Sequence, residues 1–138
     1  MYNETGNQHL RVSALVIRDK KLLLVSDDKK WYWTPGGRIE AGETLVQAIE
    51  RELEEEINVK TSKIEEYFSY TFEPEQTAGG MSKHGKEDNF LVEIDGEINP
   101  GAEINHFSWH TADEILDMPI LNSFKEKIIK RLVKDGLL

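Results

Sequence analysis

The chain has 138 residues, with 26 Asp and Glu against 17 Lys and Arg and no cysteine. That length suits one domain, expected to span 1–138, which can bury roughly two-thirds of its unfolded surface without disulfide staples. A formal charge of −9 argues against gripping a nucleic-acid polymer or an anionic membrane, and the missing thiols exclude disulfide scaffolds, zinc–thiolate centres and cysteine nucleophiles.

No apolar run approaches the roughly 20 residues that cross a bilayer. The opening MYNETGNQHL lacks the basic-then-apolar layout of a secretory signal, so a cytoplasmic location is expected. Residues 10–17 are rich in Val, Leu and Ile and read as a strand. Asp19-Lys20 separates them from a second apolar run, residues 22–25, and a hairpin is expected. Trp31-Tyr32-Trp33-Thr34 then leads into Pro35-Gly36-Gly37, the strongest turn signal in the chain. Leu45, Ala48, Ile49, Leu53 and Ile57 recur at helical spacing. Thr44 with Gln47 makes a capping box for that helix, and Asn58 stands where a left-handed residue would end it.

Residues 64–72 alternate, with Phe68, Tyr70 and Phe72 on one face and Tyr67, Ser69 and Thr71 on the other, as in a half-buried strand. The polar residues 73–87 are expected to form one long loop. Residues 90–94 and 104–109 read as further strands, and 111–116 as a short helix stopped by Pro119. Ser123 with Glu126 reads as a second capping box, opening a helix whose stripe is Phe124, Ile128 and Leu132. Strands before, between and after two main helices predict a mixed sheet with helices packed on it.

The 23 residues from Gly37 to Val59 hold seven carboxylates against two cations, Arg38 and Arg51. At about 100° per residue, Glu52, Glu55 and Glu56 share a single arc of about 100° that overlaps the edge of the apolar stripe. Glu50 and Glu54 point the other way. Like charges three and four apart cost about 0.2–0.5 kcal/mol per pair even when exposed, and more when partly buried. Arg51, four residues before Glu55, offsets part of this. A hard divalent cation, Mg²⁺ or Mn²⁺, would offset the rest. The alternative at this point is an ordinary charged face turned to solvent.

Gly37 through Glu43, seven further residues, and Arg51-Glu52-Leu53-Glu54-Glu55-Glu56-Ile57-Asn58-Val59 resemble the Nudix box, G-x5-E-x7-R-E-U-x-E-E-x-G-U. Eight of the nine defined positions match, and Asn58 replaces the last glycine. The resemblance implies an α/β/α sandwich with a mixed β-sheet between helices. It also implies Mg²⁺-dependent hydrolysis, with Mn²⁺ as a substitute, of a nucleoside diphosphate linked to another moiety. Carried over by position, Glu52, Glu55 and Glu56 would bind the metal, and the Gly36 carbonyl would be a further ligand. Glu52 would orient or deprotonate the attacking water, Glu55 would complete the catalytic set, and Arg51 would hold the carboxylates. Glu43 would brace the loop against the helix.

Substrate choice lies outside the box, and Trp33, Arg38 and Asn122 are the candidate substrate contacts. Pro74, 15 residues after Val59, resembles the spacing of ADP-ribose-hydrolysing members, but it also reads as a strand terminator. Asn122 resembles the base-contacting Asn of the mutator-type branch, or else simply precedes a Ser123 cap. Lys83, His84 and Lys86 are candidates to close over phosphates, and Glu103 is a candidate second carboxylate. His106 and His110 lie on strand-like sequence and form no helical metal pair. The expected partner is a small-molecule nucleotide, and pairing of two chains is left open. The rival reading is a Nudix-fold sensor that binds a nucleotide without cleaving it. Such a module would be expected to lose the box carboxylates that this chain keeps.

Overall fold

The computed structural model describes residues 9–74, 76–77, 80–81, 84–101 and 104–138. The first apolar run divides between two sheets. Its end, β2 (Ile17–Arg18), forms a hairpin with β3 (Lys21–Ser26), with Ile17 opposite Leu22. Asp19 and Lys20 have φ of 52° and 61°, the left-handed pair that a type I′ turn requires. The earlier part, β1 (His9–Leu15), leaves for a different sheet. The expected hairpin is therefore confined to the residues flanking the turn.

Pro35-Gly36-Gly37 does not make the expected turn. Residues Gly36–Arg38 form β4, an edge strand antiparallel to β1 with Gly37 opposite Val12. A Cβ on Gly36 would stand 2.1 Å from the Val12 carbonyl oxygen. The glycine is needed for close approach of two backbones, a use that leaves the same trace in sequence as a turn.

Helix α1 (Leu45–Ile57) is capped by Thr44 with both arms of the box in place, and Asn58 ends it at φ 57°. Its buried residues Ala48, Ile49, Leu53 and Ile57 pack with Val12, Leu23, Phe90 and Val92 into a first core. Strand β5 (Lys60–Phe72) starts earlier than expected and carries a register shift between Glu66 and Phe68. That bulge breaks the simple alternation, so Tyr67 packs with Phe68, Tyr70 and Phe72 against a second core.

Residues 73–87 are not one loop. Strands β6 (Gln76–Thr77) and β7 (Gly80–Met81) form a small hairpin, and β8 (Gly85–Asp95) begins well before the expected Phe90. The four-stranded sheet runs β4-β1-β8-β5, with β1 and β8 parallel and the other pairs antiparallel. A three-stranded sheet runs β2-β3-β9, with β9 at His106–His110.

Helix α2 (Ala112–Leu116) is boxed by Thr111 and Glu114. The C-terminal helical run consists of α3 (Asn122–Phe124), a π-helical turn (Lys125–Ile129) and α4 (Lys130–Lys134). Ser123 is not its cap. The Lys125 N–H already donates to the Leu121 carbonyl, because Leu121 is drawn onto the second core and the helix starts there. That core, with Leu15, Leu22, Ile115, Phe124, Ile128 and Leu132, lies on the side of the mixed sheet away from α1. The layers are helix, sheet and helix, as the resemblance implied.

Candidate active site

Strand β4 delivers the chain to residues 39–44, which cross to the capped start of α1. This crossing is tied down by one side chain. Arg51 donates through Nε to Glu43 Oε2 at 2.6 Å and through Nη2 to Glu43 Oε1 at 3.0 Å. Nη2 also donates to the Arg38 carbonyl at 3.0 Å, and Glu43 Oε1 accepts the Glu40 N–H at 2.8 Å. The third guanidinium nitrogen, Nη1, reaches Glu52 Oε1 at 2.8 Å and Glu55 Oε2 at 3.3 Å.

Glu52 fills the space over Gly37, where a Cβ would stand 2.5 Å from its Oε1. Its side chain is only 14% exposed. Burial holds its carboxyl above the ordinary carboxylate range, outweighing the bond and charge of Arg51 that act to lower it. Glu43 is shifted the other way, below its usual value, chiefly by the hydrogen bond from Arg51. Arg51 is pushed above its usual value by the same bond. Glu56 Oε1 accepts the Gly36 N–H at 2.8 Å. Gly36, expected to offer its carbonyl to a metal, is thus seen to offer its N–H to one of the carboxylates.

The far end of α1 is finished by a segment the sequence gives no warning of. The Asn99 N–H donates to the Ile57 carbonyl at 2.9 Å, and the Gly101 N–H donates to the Glu56 carbonyl at 2.8 Å. These bonds satisfy carbonyls that a helix end leaves open. A Cβ on Gly101 would lie 2.2 Å from the Glu55 carbonyl oxygen.

Of the other sequence candidates, Trp33 is half-buried against the first core and bridges to Val25. It also lines a cavity with Arg11, Thr34, Tyr70 and Glu87. Arg38 is exposed on β4 and meets the cluster through its carbonyl. Asn122 lies apart from the carboxylates, in a groove with Trp31, Pro74 and Lys125. Pro74 and Asn122, read as rival clues, line the same groove. The groove and the cavity share Ile120 and Leu121 as a common wall. Lys83 and Glu103 lie outside the described residues. His84 precedes β8, and Lys86 stands on it, 3.9 Å from Asp88. Sequence reasoning missed Arg11 and Glu87 altogether.

Among the described residues no three His, Cys, Asp or Glu side chains stand grouped as a ready-made ion site. Glu52 and Glu55 turn to Arg51, and Glu56 turns to Gly36. The donor set nevertheless suits a hard cation. All the donors are carboxylate oxygens, and a single guanidinium serves Glu40, Glu43, Glu52 and Glu55, which leaves the cluster with an excess of negative charge.

The NUDIX domain family model matches residues 7–132. The chain belongs to this family. The 8-oxo-dGTP diphosphatase of Haemophilus influenzae is 51% identical over 39 residues, 28% of this chain. The matches to curated relatives span only 28% and 29% of those proteins' own lengths. Among solved structures, the Escherichia coli ORF135 protein superposes with a TM-score of 0.75 at 22% identity, covering 97% of this chain and 94% of that one. The NUDIX domain of Shewanella oneidensis NrtR, complexed with ADP ribose, gives a TM-score of 0.70 at 21% identity, covering 98% and 94%. At these identities the structures establish the shared fold. Among the described residues of this NUDIX domain, no helix is long and apolar enough to cross a membrane.

Proposed function

We propose that this NUDIX domain is a Mg²⁺-dependent hydrolase of a diphosphate linkage in a nucleoside diphosphate joined to a further moiety. That class takes in nucleoside triphosphates as well as ADP-ribose and nucleotide sugars. The observation that carries the reading is Glu52, a largely buried carboxylate held between Gly37 and Arg51, next to Glu55 and Glu56 on the same helix. Glu52, Glu55 and Glu56 would hold the cation, which when bound supplies charge neutralisation at the non-bridging phosphate oxygens. Arg51, clasped by Glu43, binds Glu52 Oε1, so Oε2 is the oxygen of Glu52 left for the cation and for the water it would orient. The water oxygen forms the new bond to phosphorus, the bridging P–O bond breaks, and the departing phosphate carries away its electron pair.

The test is phosphate and pyrophosphate release from nucleoside triphosphates, ADP-ribose and nucleotide sugars, with Mg²⁺ and with chelator. Turnover of one class is expected with Mg²⁺ and none with chelator. Glu52→Gln is expected to lower kcat by about 100-fold or more. Glu54→Gln, on the exposed side of α1, is expected to stay within about twofold of the wild type. No turnover, with a nucleotide still raising the melting temperature, would favour binding without cleavage. The NrtR domain complexed with ADP ribose lends that second reading its support.

A further inference from the structure

Arg11 on β1 and Glu87 on β8 stand opposite each other in the parallel register, with Arg11 Nε donating to Glu87 Oε2 at 2.7 Å. Glu87 is 6% exposed, and the Tyr70 hydroxyl lies 3.4 Å from its other oxygen. Glu87 loses nearly all its hydration while the Arg11 side chain stays 28% exposed, so the pair adds little to folding that apolar side chains would not supply. Its position points elsewhere. Both residues line the cavity walled by Tyr32, Trp33 and Phe72, with about 470 Å³ of open space including its mouth. Thr34 lines the same cavity, two residues before Gly36, where the carboxylate cluster begins.

Two residues further along, on the same face of these strands, the facing pair is polar as well. Ser13 stands opposite Asn89. The Asn89 amide is buried, 2% exposed, and neither of its polar atoms has a hydrogen-bond partner among the described residues. A fold assembled for stability alone would not place an ion pair and an unsatisfied buried amide two residues apart on one sheet face.

We propose that Arg11 and Glu87 are specificity-determining residues that read the edge of a nucleobase held between the aromatic walls of this cavity. The inference rests on the nucleotide reading above. Each Glu87 oxygen accepts one bond, from Arg11 Nε and from the Tyr70 hydroxyl, and keeps a lone pair for one of two neighbouring N–H donors. Among the described residues Arg11 bonds through Nε and so offers its terminal amino groups to a carbonyl acceptor. Guanine presents that pattern: a carbonyl beside a ring N–H and an amino group. Uracil sets one N–H between two carbonyls that a carboxylate repels, and adenine offers an amino group with no carbonyl. The pair therefore selects a guanine-type edge.

The test compares kcat and KM for guanosine, inosine, adenosine and uridine triphosphates with Mg²⁺. In the wild type, kcat/KM for guanosine is expected to exceed that for adenosine and uridine by at least tenfold. Inosine, which lacks the amino group, is expected to lose a large part of this advantage. Glu87→Gln is expected to compress the guanosine-to-adenosine ratio below threefold, with the loss falling on KM more than on kcat. Should that variant fail to unfold cooperatively, the double variant Arg11→Gln/Glu87→Gln, which keeps a neutral pair, takes its place. Should neither fold, the inosine comparison in the wild type decides. Equal treatment of all bases, or a ranking unchanged in a folded variant, overturns the proposal. If no triphosphate turns over, the hydrolase reading fails by itself, and calorimetric binding of the four nucleoside monophosphates decides the base reader by the same ranking.

Discussion

Arg51 and Glu43 form a two-point clasp, Nε to Oε2 at 2.6 Å and Nη2 to Oε1 at 3.0 Å, across the crossing from β4 to α1. The clasp fixes the plane of the guanidinium, so its third nitrogen is aimed at Glu52 rather than free to rotate. An ammonium would hold one carboxylate as a point charge and lose the fork. Arg51→Lys is expected to keep most of the stability and to lower kcat by about tenfold or more, through a misplaced Glu52. Arg51→Ala leaves Glu43 and Glu52 without their cation and is expected to cost about 1–3 kcal/mol in urea unfolding. Equal kcat in wild type and Arg51→Lys would show that the fork does not position Glu52.

Two glycines border α1 and are expected to fail in different ways. A Cβ on Gly37 meets the end of the Glu52 side chain, which can swing aside. Gly37→Ala is therefore expected to fold with a loss below about 1 kcal/mol, yet to lose most of its turnover. A Cβ on Gly101 meets the Glu55 carbonyl oxygen, which is backbone and cannot yield without disturbing the helix end. Gly101→Ala is expected to lose about 1–3 kcal/mol. Urea titration and steady-state kinetics on both variants separate the two outcomes, and the same pattern in both would refute the distinction.

Where signals were local, the sequence could be read directly. Thr44, Gln47 and the apolar stripe of α1 lie within one helix, and both arms of its cap are formed. The helical spacing of Arg51, Glu52 and Glu55, with Glu43 eight residues before Arg51, brings those four side chains into one hydrogen-bonded cluster. Features that depend on a distant strand were hidden. Gly36 and Gly37 looked like a turn because their partner, β1, lies more than twenty residues upstream. Lys86 and Glu87 fell within the expected loop, and Asp88 and Asn89 outside the expected strand, because a strand whose buried positions include Glu87 and Asn89 shows no hydrophobic alternation there. Asn99 and Gly101 serve the end of α1 from about forty residues away, and no local pattern announces that bond.

Asn58, the one departure from the box, sits at φ 57° and ψ 40°, and its side-chain amide donates to the Asn99 carbonyl. The backbone shape demands a left-handed residue, and Asn meets it while adding a tie to the segment that finishes α1. Asn58→Ala keeps neither advantage and is expected to cost about 1–2 kcal/mol. Asn58→Gly relieves the backbone but drops the tie, and is expected to stay within about 1 kcal/mol of the wild type. Thermal unfolding of the three proteins checks the order, and an alanine variant as stable as the glycine variant would contradict it.

The Tyr67 hydroxyl donates to Asp135, joining β5 to the end of the C-terminal helical run. Burial and the neighbouring carboxylate push Tyr67 up to about 12, while the hydrogen bond from Tyr67, followed by Arg131, holds Asp135 below its usual value. The folded chain therefore keeps the tyrosine proton to higher pH than the unfolded chain does. Its contribution is full below about pH 10 and is lost as pH rises toward about 12. The aspartate works in the opposite sense. Its contribution is present above its ordinary value near 4 and is lost as pH falls through the depressed one. Tyr70 is also raised, by burial first, but it is common to the wild type and a Tyr67→Phe variant and cancels in their difference. The stability advantage of wild type over Tyr67→Phe, measured by urea unfolding, is expected to be constant from pH 6 to about pH 9.5 and to shrink above that. Asp135→Asn is expected to flatten the acid limb below pH 4 relative to the wild type. Parallel curves across both windows would show that this hydrogen bond does not couple to folding.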